Sequence, residues 1–76
     1  MSSIQELSDA SQGSVVHLYH YNTDVQTELQ LSEMGLIGSI PIQVIKNDGK
    51  GPIVIEFRHS KIILGRKVSK KIMIRG

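Results

Sequence analysis

The side chains in this sequence best suited to metal or acid–base chemistry are three histidines, His17, His20 and His59. Imidazole combined with carboxylates suits iron or zinc. His17 and His20 lie in the run Val15-Val16-His17-Leu18-Tyr19-His20-Tyr21, whose β-branched and aromatic residues read as a strand. Positions an odd number apart leave a regular strand on opposite faces, so the pair cannot chelate one ion unless a bulge intervenes or two chains share it. His17, His20 and His59 are therefore weak metal candidates, read first as structural or solvated. No facial triad assembles from the sequence, no cofactor is expected, and any transition-metal binding would be weak. Gly49-Lys50-Gly51 is glycine-rich, but it lacks both the Gly-x-Gly-x-x-Gly pattern and the Gly-Lys-Ser/Thr end of a P-loop, so it reads as a turn. Serine, histidine and aspartate are present without the strained Gly-x-Ser-x-Gly turn that would expose a nucleophile. There is no cysteine, hence no disulfide, thiolate zinc site or thiol nucleophile. No catalytic residue is assigned, and the chain reads as a non-enzyme.

The elements that position these residues must come from a small body. Seventy-six residues allow one domain, and with one Phe, two Tyr and no Trp its core must be aliphatic. No apolar run approaches the roughly 20 residues of a membrane span. The polar start Met1-Ser2-Ser3-Ile4-Gln5-Glu6 does not resemble a signal peptide, so a reducing cytosol is the expected compartment. Charge is divided along the chain. All nine Lys and Arg lie from Lys46 onward, beside only Asp48 and Glu56, giving +7; residues 1–45 carry five acids and no base, giving −5. Such a split can mark a basic binding face, or simply halves that neutralise each other once folded.

Ser3-Ile4-Gln5-Glu6 has the form of a capping box, which predicts a helical turn with Ile4 and Leu7 tucked beneath the sheet. Ser14 to Tyr21 predicts the first strand. Thr23 with Gln26 offers a second capping box for a helix over 24–34, with Val25, Leu29 and Met34 among its buried residues and Gly35 as its stop, Leu36 folding back as in a Schellman ending. Period-two alternation then places Ile40, Ile42 and Val44 on one face, and Ile53, Ile55 and Phe57 on another. Asn47 to Pro52 is a turn between them. Ile62-Ile63-Leu64 and Lys71 to Arg75 supply the fourth and fifth strands, with Gly65 to Ser69 interrupting the sheet. The expected fold is mainly β, a small, partly open five-stranded barrel with one short helix. Ile42, Val44, Ile53, Ile55 and Ile72 form its proposed core.

Four segments together carry a family likeness: Leu31-Ser32-Glu33-Met34-Gly35-Leu36-Ile37, the stretch from Ile42 to Glu56 with its Asp48-Gly49-Lys50-Gly51-Pro52 turn, Ile62-Ile63-Leu64-Gly65-Arg66, and Ile72-Met73-Ile74. In order and spacing they resemble the FeoA family, from about Leu29 to Ile74. Departures fall in turns: Gly38-Ser39-Ile40 stands where Pro-Gly-Thr is common, His59 where glycine is usual, and Ser69 where alanine is usual. The resemblance implies a single SH3-like domain over residues 1–76, a barrel also found as the C-terminal domain of iron-dependent repressors. It further implies a small cytosolic accessory of bacterial ferrous iron uptake. Its partner would be the membrane ferrous-iron permease with a GTPase domain (FeoB-like), and the protein would be peripheral to the inner membrane only through that partner, with no insertion of its own.

Two surfaces are candidates for that contact. Leu31, Met34, Leu36 and Ile37 cannot all enter so small a barrel; they either cover one open end or form a docking patch, since exposed aliphatic and Met clusters mark protein contacts. Leu36, at the helix exit, is expected to stay partly accessible. Leu64 and Arg66, from the basic region of the fourth strand, complete the candidate docking set. The alternatives are a small basic barrel that binds nucleic acid, using Lys61, Arg66, Lys67, Lys70 and Lys71 with few aromatic platforms, or a stand-alone relative of the repressor domain. Nucleic acid is the less favoured partner, and the oligomeric state is left open.

Overall fold

Six antiparallel strands form one sheet in the computed structural model, which describes residues 4–76. In chain order these are β1 (Ile4–Glu6), a 3-10 turn (Leu7–Asp9), β2 (Val15–Tyr21), α1 (Val25–Glu33), β3 (Pro41–Lys46), β4 (Ile53–Phe57), β5 (Ser60–Leu64), α2 (Arg66–Ser69) and β6 (Ile72–Arg75). The strand order is β1-β6-β2-β3-β4-β5, so the two ends of the chain pair with each other and β5 forms the far edge. The sheet wraps a body of only 28 × 26 × 23 Å, helped by irregularities in β2, between Leu18 and His20, and in β3, between Val44 and Lys46. Bulges of this kind bend and twist a strand, as a small curled sheet requires.

The period-two alternation holds. Ile42, Val44, Ile53, Ile55 and Ile72 have no exposed surface, and Phe57 and Ile74 join them inside. Burying such branched chains is what stabilises a domain of this size, at about 1.5–3 kcal/mol each. Pro41 opens β3 although that strand is central; as first residue it gives up no ladder bond that the sheet needs.

The N-terminal segment differs from expectation. Ser3, and with it part of the proposed capping box, lies outside the described residues, and Ile4–Glu6 is a sixth strand, not a helical turn. Its register against β6 pairs Ile4 with Arg75 and Glu6 with Met73. The helical turn comes one step later, at Leu7–Asp9, where Leu7 is fully buried; Ile4 remains about half exposed. The interruption at Gly65–Ser69 is the short helix α2.

The N-cap of α1 is Asp24, one residue later than the Thr23 capping box would place it, so the helix begins at Val25. The Asp24 carboxylate accepts from the Thr27 backbone N–H at 3.1 Å and from the Thr27 hydroxyl at 2.8 Å, which holds the Asp24 carboxyl below its usual range. Its end follows the Schellman pattern: the Gly35 N–H donates to Ser32 O at 3.0 Å and the Leu36 N–H to Leu31 O at 3.1 Å. Gly35 has φ +102°, a conformation that strains any residue with a Cβ, and a Cβ there would also press within 3.2 Å of the Arg58 side chain.

Candidate functional site

The Schellman turn decides what the helix exit presents. It folds Leu36 back against Leu31, and both sink into the core, at 0% and 7% exposure. This corrects the expectation that Leu36 stays accessible. Leu64 is buried as well. Met34 and Ile37, on either side of the turn, are left half exposed. Val25 and Leu29, expected inside, lie on the outer side of α1, Val25 at 81% exposure; Leu31 is the one helical residue that the core takes up. The cause is geometric. The helix is lightly packed, with only Leu31, in its last turns, reaching the core, so the i, i+4 apolar pair of its first turns stays outside.

Arg66, offered as a docking residue, is committed inside the molecule. Its guanidinium donates to Gly51 O at 3.0 Å, to Ser8 O at 3.2 Å and to Asn47 Oδ1 at 2.7 Å. Asn47 in turn donates from Nδ2 to Ser8 O at 3.0 Å and Ala10 O at 2.6 Å, while the Gln12 side chain accepts from the Asn47 backbone N–H at 2.9 Å. Arg66 and Asn47 thus join α2, the β3–β4 turn and the N-terminal turn. The adjoining Asp48 carboxylate accepts from the Gly51 and Lys50 N–H groups, each at 2.9 Å, and these bonds hold its carboxyl below the usual range, with Lys46 and Arg66 adding to the effect. Sequence reading took Arg66 for a surface group because its partners lie as many as 58 positions away.

His17 and His20 both occupy the outer face of β2. His17 pairs with Arg75 and His20 with Met73, while the intervening Leu18 pairs with buried Ile74. The bulge at Tyr19 inserts one extra residue and reverses the odd-spacing argument. His59 lies at the far hairpin, where Arg58 and His59 hold φ of +48° and +64°. Among the described residues no group of three or more His, Asp or Glu is placed to hold a metal ion. Of the aromatic residues, Phe57 is core and Tyr19 is half exposed, with the Arg75 guanidinium 4.8 Å from its ring centre. The Tyr21 hydroxyl donates to Leu36 O at 2.5 Å and so ties β2 to the helix exit. Its burial, with the nearby Glu28 charge adding, pushes the phenol up to about 12.

Between α1 and the last residues of β2 lies an open cleft of about 420 Å³, which sequence reading missed. Its walls come from segments that no local pattern brings together: Tyr19 and His20 from β2, Glu28 from α1, and Ile37 and Ser39 from the loop into β3.

The fold defines a small mainly-β domain of the SH3-like kind. The chain belongs to the FeoA family, whose domain it matches over residues 5–76. The FeoA domain is a non-enzymatic accessory domain, and the family is involved in ferrous iron uptake. Among solved structures the fold is similar to an iron uptake regulatory protein (FeoA), at TM-score 0.83 and 23% identity over 96% of each chain. It is also similar to the FeoA protein of Chlorobium tepidum, at TM-score 0.84 and 17% identity, over 92% of this chain and 68% of that one. A manganese-dependent transcriptional repressor matches at TM-score 0.84 and 14% identity, over 97% of this chain but 42% of its own. No curated protein matches at a comparable level. No helix among the described residues is long and apolar enough to cross a membrane.

Proposed function

We propose that this protein is a cytosolic accessory of ferrous iron uptake that docks on the membrane ferrous-iron permease with a GTPase domain. The observation that carries the reading is the apolar surface at and around α1. Leu29, Met34 and Ile37 are each about half exposed and Val25 more so, on a helix that contributes a single side chain, Leu31, to the core. Apolar side chains grouped on one element of so small a domain mark a protein contact. The buried members of the sequence-based set, Leu31, Leu36 and Leu64, belong to the core and do not form this surface.

Met34→Lys tests the reading. A lysine at the helix C-terminus is favoured by the helix dipole, so the fold should be kept. Carried into a docked interface, its unpaired charge would cost about 3–5 kcal/mol, enough to release a transient complex. Cells that depend on the permease for iron should then grow poorly, and the variant should no longer co-purify with the permease. Unimpaired growth and co-purification with a folded Met34→Lys protein would refute docking through this surface. Leu36→Glu serves as the contrast: it should unfold the chain.

A further inference from the structure

The cleft between α1 and β2 has a chemical character of its own. Among the side chains that line it, Glu28 is the one that is charged at neutral pH. Glu28 stands exposed in the first turn of α1, at the wall of the cleft, and none of the described residues gives its carboxylate a hydrogen bond or an ion pair. Two of the hydroxyl donors that line the cleft are committed elsewhere. The Tyr21 hydroxyl donates to Leu36 O, and the Ser32 hydroxyl to Leu29 O at 3.0 Å. The Glu28 charge nevertheless reaches the cleft interior, because it helps to raise the Tyr21 phenol. Tyr19, His20 and Ile37 line the same cleft. Tyr19 already attracts one cation, Arg75, at 4.8 Å from its ring centre. An unpaired carboxylate in one cleft with aromatic rings and an aliphatic side chain is complementary to a planar cation on an apolar stem.

We propose that this cleft receives a basic side chain, an arginine by preference, projecting from an apolar segment of a partner protein. Glu28 would take the guanidinium by charge-assisted hydrogen bonds. Tyr19 would stack on it, and the exposed Ile37 in the cleft wall would meet an apolar residue beside the arginine. A bare metal ion suits the cleft poorly, because its walls offer only His20 and Glu28 as strong ligands. The inference rests on the docking reading for the identity of the partner, but its test reads the cleft alone.

The full chain, labelled with 15N, is titrated with the capped tripeptide acetyl-Leu-Arg-Leu-amide and with the same peptide carrying citrulline, which keeps the shape and removes the charge. The arginine peptide should shift the amide signals of Tyr19, His20, Glu28 and Ser39 and bind at least about tenfold more tightly than the citrulline peptide. In Glu28→Gln, with spectral dispersion retained, the two peptides should become equivalent. Equal binding of both peptides to the natural chain would overturn the proposal, as would an arginine preference that survives Glu28→Gln, or shifts confined to other surfaces. Zinc ion added alone, if it bound tightly through the same signals and was lost in Glu28→Gln, would reassign the cleft to metal and overturn it too. A growth defect in Met34→Lys without any peptide preference would sink the cleft and leave docking standing. A peptide preference with normal growth of Met34→Lys would sink docking through the helix exit and leave the cleft chemistry standing.

Discussion

Single side chains in this protein act through partners far away in sequence, and Tyr21 gives the clearest case. Its hydroxyl reaches Leu36 O, fifteen positions on, and closes the helix exit onto β2. Burial first and the Glu28 charge second lift its ionisation from 10.0 to about 12. The fold therefore favours the neutral phenol, and the contribution is whole below pH 10 and lost as pH rises through about 12. Tyr21→Phe should cost about 0.5–1.5 kcal/mol at neutral pH through loss of that bond. It should also remove part of the alkaline fall in stability, which urea midpoints measured across this range would record. Parallel declines in the two proteins would show that another group governs the alkaline side. Asn47 acts on the same principle: all its amide atoms are bonded, to Ser8, Ala10, Gly49 and Arg66, and it links segments that approach only in the folded state.

At the level of elements, the connections carry the strain. Phe57 pairs with Ser60, so the β4–β5 hairpin has two central residues, Arg58 and His59, both left-handed without being glycine. A two-residue hairpin matched to the strand twist requires such positive φ values, and asparagine or glycine normally supplies them. His59 holds φ +64°, so His59→Gly relieves a penalty of about 1–2 kcal/mol for an L-residue in this region. Part of that gain is offset by the added freedom of the unfolded chain. The net expectation is a rise in stability of about 0.5–1 kcal/mol, read as a higher midpoint of thermal unfolding. A lower midpoint would mean that the imidazole contributes a contact outweighing the backbone strain. The helix α1 lies at the other extreme, well capped by Asp24 and well terminated by Gly35 but lightly packed along its length.

For the whole molecule, stability rests on a core of short aliphatic chains. Ile55 is fully buried between strand neighbours, paired with Val44 on one side and Ile62 on the other. Ile55→Ala should cost about 2–5 kcal/mol, a large share of what a domain of this length has to lose. Denaturant titration should show the midpoint falling with little change in slope. A midpoint that hardly moved would mean that the core tolerates the cavity by collapsing onto it. The charge division along the sequence does not translate into close pairing: no ion pair joins the two halves among the described residues, and Glu28 on the acidic side is left free to meet a partner.

The strand phases, the turn at Asn47 to Pro52 and the glycine stop of α1 were legible in the residues, because each depends on local backbone geometry and on side chains two to six positions apart. The alternation of Ile42 and Val44, or of Ile53, Ile55 and Phe57, needs no knowledge of the rest of the chain to point one face inward. Tertiary structure alone decided the rest. A helical apolar pair such as Val25 and Leu29 is buried only if that face of the helix meets another element, and in α1 it stays exposed. One inserted residue at Tyr19 turned His17 and His20 onto a common face. Arg66 became an internal brace once the loops carrying Ser8 and Gly51 arrived beside it. Ile4 to Glu6 became a strand because β6 offered it a partner edge. Periodicity names the face that must be covered; which surface covers it, and which polar groups are used up in doing so, depends on long-range contacts that form only when the whole sheet closes around its core.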